Sequence, residues 1–318
     1  MSVLVEKADL SLKYTAHYNE VKEQLLQDSP DVLNAPRKKA LQDFVKQGIP
    51  TRKNENYKYS NLQPQFAPNY KFIHKKEEVT ADLKNAFRCD VPQLDTHLEL
   101  VFNGWYGKNS KNAELPKGVI FDSLENIARQ NPELLEKYAS VAKTEEDPMV
   151  ALNTVFARDG YLLYVPKNMQ VDIPIQVINF LKSNENAYTT QRNFIFIEEG
   201  ASAKIISCEH TLNLNSYLNN SVTEIFVGKN AEFEYYTLQN QHNNTTSINS
   251  IYIQQERDSK VTTLTSSLHG GFIRNNLKFI LNGENAEANL FGMAFLDQKQ
   301  HVDNFTQVIH ASPHCLSN

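Results

Sequence analysis

From residue 190 onward the chain is built of short apolar or alternating runs whose spacing repeats. Taken alternately, runs starting at 194, 222, 248, 277 and 304 lie 28, 26, 29 and 27 residues apart. The intervening set, starting at 203, 232 and 261, is spaced by 29 and 29, and 288 follows after 27. The turn between the two sets repeats as well. Gly200-Ala201-Ser202-Ala203, Gly228-Lys229-Asn230-Ala231 and Gly283-Glu284-Asn285-Ala286 share a pattern, and Arg257-Asp258-Ser259-Lys260 fills the remaining slot in degenerate form. A repeat of this length holding only short strands cannot bury its apolar side alone, so each unit stacks on the next. The spacing therefore predicts a parallel β-helix over residues 161–318. A β-sandwich also has many short strands, but its hairpins need no recurring turn after every second one. The alternation Glu232, Phe233, Glu234, Tyr235 and the run Leu277, Phe279, Leu281 predict apolar inward positions.

The first half reads differently. Tyr14, Tyr18, Val21 and Leu25 fall on one stripe of a helix ending near Asp28, and Leu41, Phe44 and Val45 mark a shorter one stopped by Gly48 and Pro50. Residues 49–75 have no period, five aromatics and three prolines, and read as an extended arm lying on something apolar. A short helix is expected at 80–88, strands at Leu98–Phe102 and Val119–Phe121, and helices at 123–130, 132–140 and 148–158. The expected fold class is α+β. It comprises a helical N-terminal region with its arm (1–92), a mixed lead-in (93–160) and the β-helix (161–318).

Composition narrows the function. Net charge is −5 and no apolar run approaches a membrane span, so neither nucleic acid nor membrane is indicated as a partner. Met1–Leu12 carries Glu6, Lys7 and Asp9 with no apolar segment between them, which argues against a signal peptide. The 3 cysteines, Cys89, Cys208 and Cys315, are widely separated and odd in number, so they make no disulfide framework and suit a reducing cytoplasm.

No phosphate loop, nucleophile elbow or catalytic triad assembles from the motifs present. Gly228-Lys229-Asn230 lacks the Ser or Thr of a P-loop, and Gly200-Ala201-Ser202-Ala203-Lys204 ends in Lys where an elbow needs glycine. The best ligand cluster is His310-Ala-Ser-Pro-His314-Cys315, whose three side chains suit iron, zinc or copper. The competing reading is a β-helix corner after a strand end. Cys208 and His210 alternate on one strand face as a second pair, with Cys208 read as a small buried residue. Cys89 is read as packing only.

Several short motifs, in order, carry a resemblance. They are Gly48-Ile49-Pro50 through Glu55, Tyr57, Lys58 and Tyr59; Val101-Phe102-Asn103-Gly104; Leu115 to Val119 leading to Ser123-Leu124; Ala151-Leu152-Asn153-Thr154 with Asp159-Gly160; Val165-Pro166-Lys167; Pro174-Ile175-Gln176; and His310 to Ser317. This ordered set resembles the SufD family, with Tyr57 standing where that family usually has Trp. The resemblance implies a right-handed parallel β-helix and a non-catalytic scaffold subunit of iron–sulfur cluster assembly. It further implies pairing with a SufB-like paralogue or a second copy, and recruitment of a SufC-like ATPase through C-terminal helices. No cofactor is assigned to this chain, and a transient iron or cluster at the complex interface is implied. The family's later Cys-Ser-His-Gly-Ala-Thr stretch and C-terminal helices do not occur before Asn318, so a shortened chain is expected. Only His310, His314 and Cys315 match a family motif with ligand-capable side chains. The alternatives from other classes are a β-helix enzyme acting on polysaccharide and a structural β-helix that polymerises end to end.

Overall fold

The computed structural model describes residues 2–77, 95–107, 114–138 and 141–318. The helix expected at 80–88 and Cys89 lie outside the described residues.

The repeat is set at its corners, where one residue per coil takes a left-handed backbone. These residues are Asn168, Gly200, Asn230, Asp258, Asn285 and His314, with φ between 54° (Asn230) and 67° (Gly200). Asn and Asp tolerate this region because a short polar side chain can bond its own turn. The corner amides climb the stack: Asn168 N donates to Glu199 O at 2.9 Å, Gly200 N to Lys229 O at 2.8 Å, and Asn230 N to Arg257 O at 3.0 Å. The structural equivalent of Gly200 is thus Asn230, not Gly228, which shifts the sequence-derived corner alignment by two residues. Gly283 serves a different need. A Cβ there would lie 1.9 Å from Arg257 N, so glycine lets adjacent coils approach.

Between corners the strands run parallel. One sheet holds β5 (Tyr161–Val165), β7 (Ala187–Ile197), β9 (Tyr217–Val227), β11 (Thr245–Gln255), β13 (Phe272–Leu281) and β15 (His301–His310), stacked in that order. The other holds β6 (Ile175–Leu181), β8 (Ser202–Thr211), β10 (Glu232–Asn240), β12 (Lys260–His269), β14 (Glu287–Ala294) and β16 (Leu316–Ser317). The result is a parallel solenoid of about 5 turns, as the spacing predicts. At its N-terminal end β2 (His97–Phe102) extends the second sheet, pairing in parallel with β6 and antiparallel with β3 (Trp105–Gly107). β4 (Ile120–Ser123) closes the first sheet antiparallel to β5, and the short β1 (Lys71–Phe72) pairs with β7.

The helices sit on the outer face of the first sheet. They are α1 (Ser2–Asp28), α2 (Asp31–Asn34), α3 (Arg37–Gln47), α4 (Gln63–Phe66), α5 (Leu124–Gln130), α6 (Pro132–Tyr138) and α7 (Pro148–Phe156). α7 is buried on nearly every side, and Met149, Leu152, Val155 and Phe156 contribute roughly 1.5–3 kcal/mol each by leaving water. It packs with Tyr14, Phe44 and Phe66 against Tyr188, Leu218 and Ile248 of the sheet. Asp147 caps α7, accepting from Met149 N at 2.6 Å and Val150 N at 3.3 Å. At the other end the buried Arg37 guanidinium donates to the carbonyls of Val155 (2.6 Å) and Ala157 (2.9 Å), a cation at a helix C-terminus. Burial pulls its pKa down to about 10, which leaves it charged.

The expected arm over 49–75 is only partly extended: it includes a 3₁₀ turn at Glu55–Tyr57, α4 and β1. Its aromatic residues pin it as foreseen, with Tyr57 3% and Phe66 0% exposed, while Tyr59 is 70% exposed.

Candidate functional site

Three regions carry chemistry: the arm's contact with the solenoid, the solenoid's interior, and its last coil.

The arm is held through Arg274 on β13, a guanidinium only 1% exposed. Its Nε donates to Asn276 Oδ1 at 2.7 Å, Nη1 pairs with Asp303 on β15, and Nη2 donates to the carbonyl of Asn56. The planar head lies 4.6 Å from the Tyr57 ring centroid and 5.1 Å from that of Phe305. The Tyr57 hydroxyl in turn donates to Asp147 at 2.9 Å, and Ser60 Oγ donates to Asp303 at 2.5 Å. One buried cation therefore ties arm, helix cap and the last two coils of the first sheet into one network.

Other residues of the ordered motifs hold similar junctions. Asn103 donates to Lys182 O at 2.8 Å and accepts from Lys182 N at 3.0 Å, fixing β2 to the end of β6. Asn153 of α7 donates to the carbonyls of Gln191 (3.0 Å) and Asn220 (2.9 Å), reading two successive coils. Asp159 accepts from Ser123 Oγ at 2.7 Å and Tyr106 N at 3.0 Å, and burial pushes its carboxyl up to about 6.

The interior divides into two halves. Beside the corners it is apolar, with columns such as Ile195, Ile225, Ile253 and Phe279, and Ala203, Phe233 and Val261. Away from the corners it is polar, which corrects the expectation of uniformly apolar inward positions. Gln191, Ser221, Asn249, Asn275 and Asn304 stack in register, and Asn179, Glu209, Gln239 and Ser267 face them. The amides bond to one another: Gln191 donates to Asn179 at 2.9 Å, Gln239 to Asn275 at 2.8 Å, and Asn275 to Asn304 at 2.8 Å. Such ladders satisfy the polar groups that burial would otherwise penalise. Among the described residues lining this chamber Glu209 is the one acid, 8% exposed, and burial pushes its carboxyl up to about 7.

The last coil holds the predicted ligand cluster. His310 ends β15 in register with Leu281, 3.1 Å from Ser317 Oγ. His314 is the left-handed corner residue (φ 60°), with Nε2 3.9 Å from Glu284. Cys315 takes the corner slot that Ala201, Ala231 and Ala286 fill in earlier coils and donates to Gly283 O at 3.3 Å. The three side chains thus have three separate partners. Among the described residues no group of three His, Cys, Asp or Glu side chains is placed to hold a metal ion. Cys208 and His210 lie on the outer face of the second sheet, Cys208 buried beside Leu100, Phe102, Ile178 and Phe180.

β14 pairs with β12 along its whole length and, on its other side, with β16 at Glu287 and Ala288, where Leu290 N also donates to Asn318 O at 2.8 Å.

These features define a β-solenoid whose chemistry-bearing residues mostly lock its parts together. A family model for the SufBD protein N-terminal region matches residues 8–177, and one for the SUF system FeS cluster assembly SufBD core domain matches residues 180–318. The chain belongs to the SufBD family. It is 26% identical over 302 residues to proteins of Staphylococcus haemolyticus and Staphylococcus aureus strain MRSA252, each named an iron-sulfur cluster assembly SufBD family protein. In each case the match covers 92% of this chain and 65% of the relative.

Proposed function

We propose that the chain is a SufD-like, non-catalytic scaffold subunit of iron–sulfur cluster assembly. The observation that carries this reading is the match of SufBD models to both halves of a chain that folds as a parallel β-solenoid. On this reading the solenoid meets a SufB-like paralogue, or a second copy. A SufC-like ATPase binds through a region beyond Asn318, and the assembly works in the cytoplasm. Among the described residues no helix is long and apolar enough to cross a membrane. Iron or a cluster is cargo held transiently at the interface, where His310 and Cys315 would add donors to a partner's ligands and His314 would swing from Glu284. The division into a helical region (1–92), lead-in (93–160) and solenoid (161–318) gives the partner surface to the last part alone.

Co-expression of the full gene product with SufB-like and SufC-like partners tests this. A complex that survives size-exclusion chromatography is the expected outcome. Elution of the chain apart from both partners would contradict it.

A further inference from the structure

The polar half of the interior holds an acid with no counter-charge. Glu209 projects inward from β8, in register with Asn179 on one side and Gln239 on the other. Gln239 and Asn249 are its hydrogen-bonding neighbours, yet its Oε2 is buried and accepts no hydrogen bond from the protein. Thr237 Oγ1, on the adjacent strand and lining the same space, is likewise buried and unbonded. The described residues lining the chamber include no Lys, Arg or His. Tyr161 on β5 and Tyr235 on the neighbouring β10 are titratable groups that feel Glu209, and neither can supply positive charge.

The chamber is also the right size and chemistry for an ion. It encloses about 40 Å³. A buried water needs roughly 10–15 Å³, so the space admits an ion with one or two waters but no organic ligand. The donors are oxygens throughout: one carboxylate, hydroxyls of Ser207, Thr223 and Thr237, and the amide oxygens of the ladder. Oxygen donors select hard cations over thiophilic ones. Calcium and magnesium sites recruit several carboxylates or keep a large water shell, and here a single carboxylate balances a single charge. Neutral oxygens lining a narrow protein interior replace the hydration of monovalent ions in the same way.

We propose that the chamber around Glu209 binds a small monovalent cation of the sodium, potassium or ammonium class. The ion neutralises Glu209, uses the unbonded Thr237 hydroxyl and ties β8 and β10 to the ladder of the opposite sheet. It thereby stiffens the middle coils of the solenoid. Bound at neutral pH, it is displaced when the carboxyl takes up a proton.

The test is thermal unfolding of the purified chain in sodium, potassium or ammonium chloride, against tetramethylammonium chloride of equal ionic strength. Tetramethylammonium is too large for the chamber. At pH 8 at least one small cation is expected to raise the midpoint by about 2 °C or more, the shift that binding well above its dissociation constant gives a chain of this size. The gain is expected to vanish at pH 5 and in Glu209→Gln. Equal midpoints in all four salts at pH 8, or an undiminished gain in Glu209→Gln, would overturn the proposal. Should that variant fail to fold, wild-type crystals soaked in rubidium or thallium(I) decide the matter. An anomalous peak beside Glu209 supports the site, and none there refutes it.

Discussion

Replacing Glu209 by Gln is expected to stabilise the protein, and only above the acid range. In the fold, burial moves this carboxyl from 4.5 to about 7. The folded state therefore holds a proton that the unfolded chain releases between those values, and stability falls as pH rises through that window. Each tenfold gain in proton affinity on folding corresponds to about 1.4 kcal/mol, so by pH 8 the penalty amounts to about 3 kcal/mol. Gln keeps the shape, carries no charge, and its amide can donate to the unbonded Thr237 Oγ1. For a chain of this length that figure corresponds to roughly 4–5 °C in the unfolding midpoint. The assay is calorimetry or circular dichroism on wild type and variant at pH 4 and pH 8, in tetramethylammonium buffer so that no small cation offsets the charge. The variant should melt higher at pH 8 and match wild type at pH 4. A variant no more stable than wild type at pH 8, or an equal gap at both pH values, would refute the reasoning.

Other perturbations probe the junctions. Arg274→Ala removes the cation shared by Asp303, Asn56 and the Tyr57 ring, and should destabilise by about 3 kcal/mol because it strands the half-buried Asp303 carboxylate; denaturant titration measures it. Tyr57→Phe deletes the bond to Asp147 and the acceptor of Asn276 Nδ2, and should cost about 1–2 kcal/mol, with protease sensitivity rising first around residues 50–60. Asn230→Ala forces an alanine to φ 54° and should cost about 1–2 kcal/mol, while Asn230→Gly should be nearly neutral by the same titration. His17 and His74 meet at 2.8 Å, and burial pulls His74 down to about 4. The stability of the fold should fall as pH drops from 6.5 toward 4, where the unfolded chain takes up a proton that buried His74 refuses, and His74→Phe should flatten this acid limb of the stability profile.

Much of the fold is written locally and was legible. Corner segments, strand alternation and the stripe through Tyr14, Tyr18 and Leu25 act over one turn or one coil, so spacing alone exposes them, though it misaligned the corner residues themselves by two positions. The polar interior was not read, although its trace is present. In Asn219, Ser221, Thr223, Ile225 and Val227 the inward phase switches from polar to apolar within a single strand. Because strand periodicity is sought as apolar alternation, an inward Ser or Asn looks like a surface residue. Glu209 was hidden for the same reason, flanked by Cys208 and His210, which drew attention to the opposite face. Arg274 was invisible because its partners Asn56 and Tyr57 lie more than two hundred residues away, and single-sequence spacing carries no such contact. The family motifs were read as markers, and the structure shows several of them as physical joints: Asn103, Asn153 and Asp159 each satisfy buried backbone where two elements meet.

The proposed role is tested most directly by cluster formation in an assembly reconstituted from SufB-like and SufC-like partners, iron and a persulfide-loaded sulfur donor, with and without the full-length protein. The account predicts that the cluster absorbance develops only when the protein is present in proportion to its partners, while the protein alone releases no sulfide and hydrolyses no nucleotide. Equal cluster yield in its absence, or turnover by the isolated chain, would contradict it.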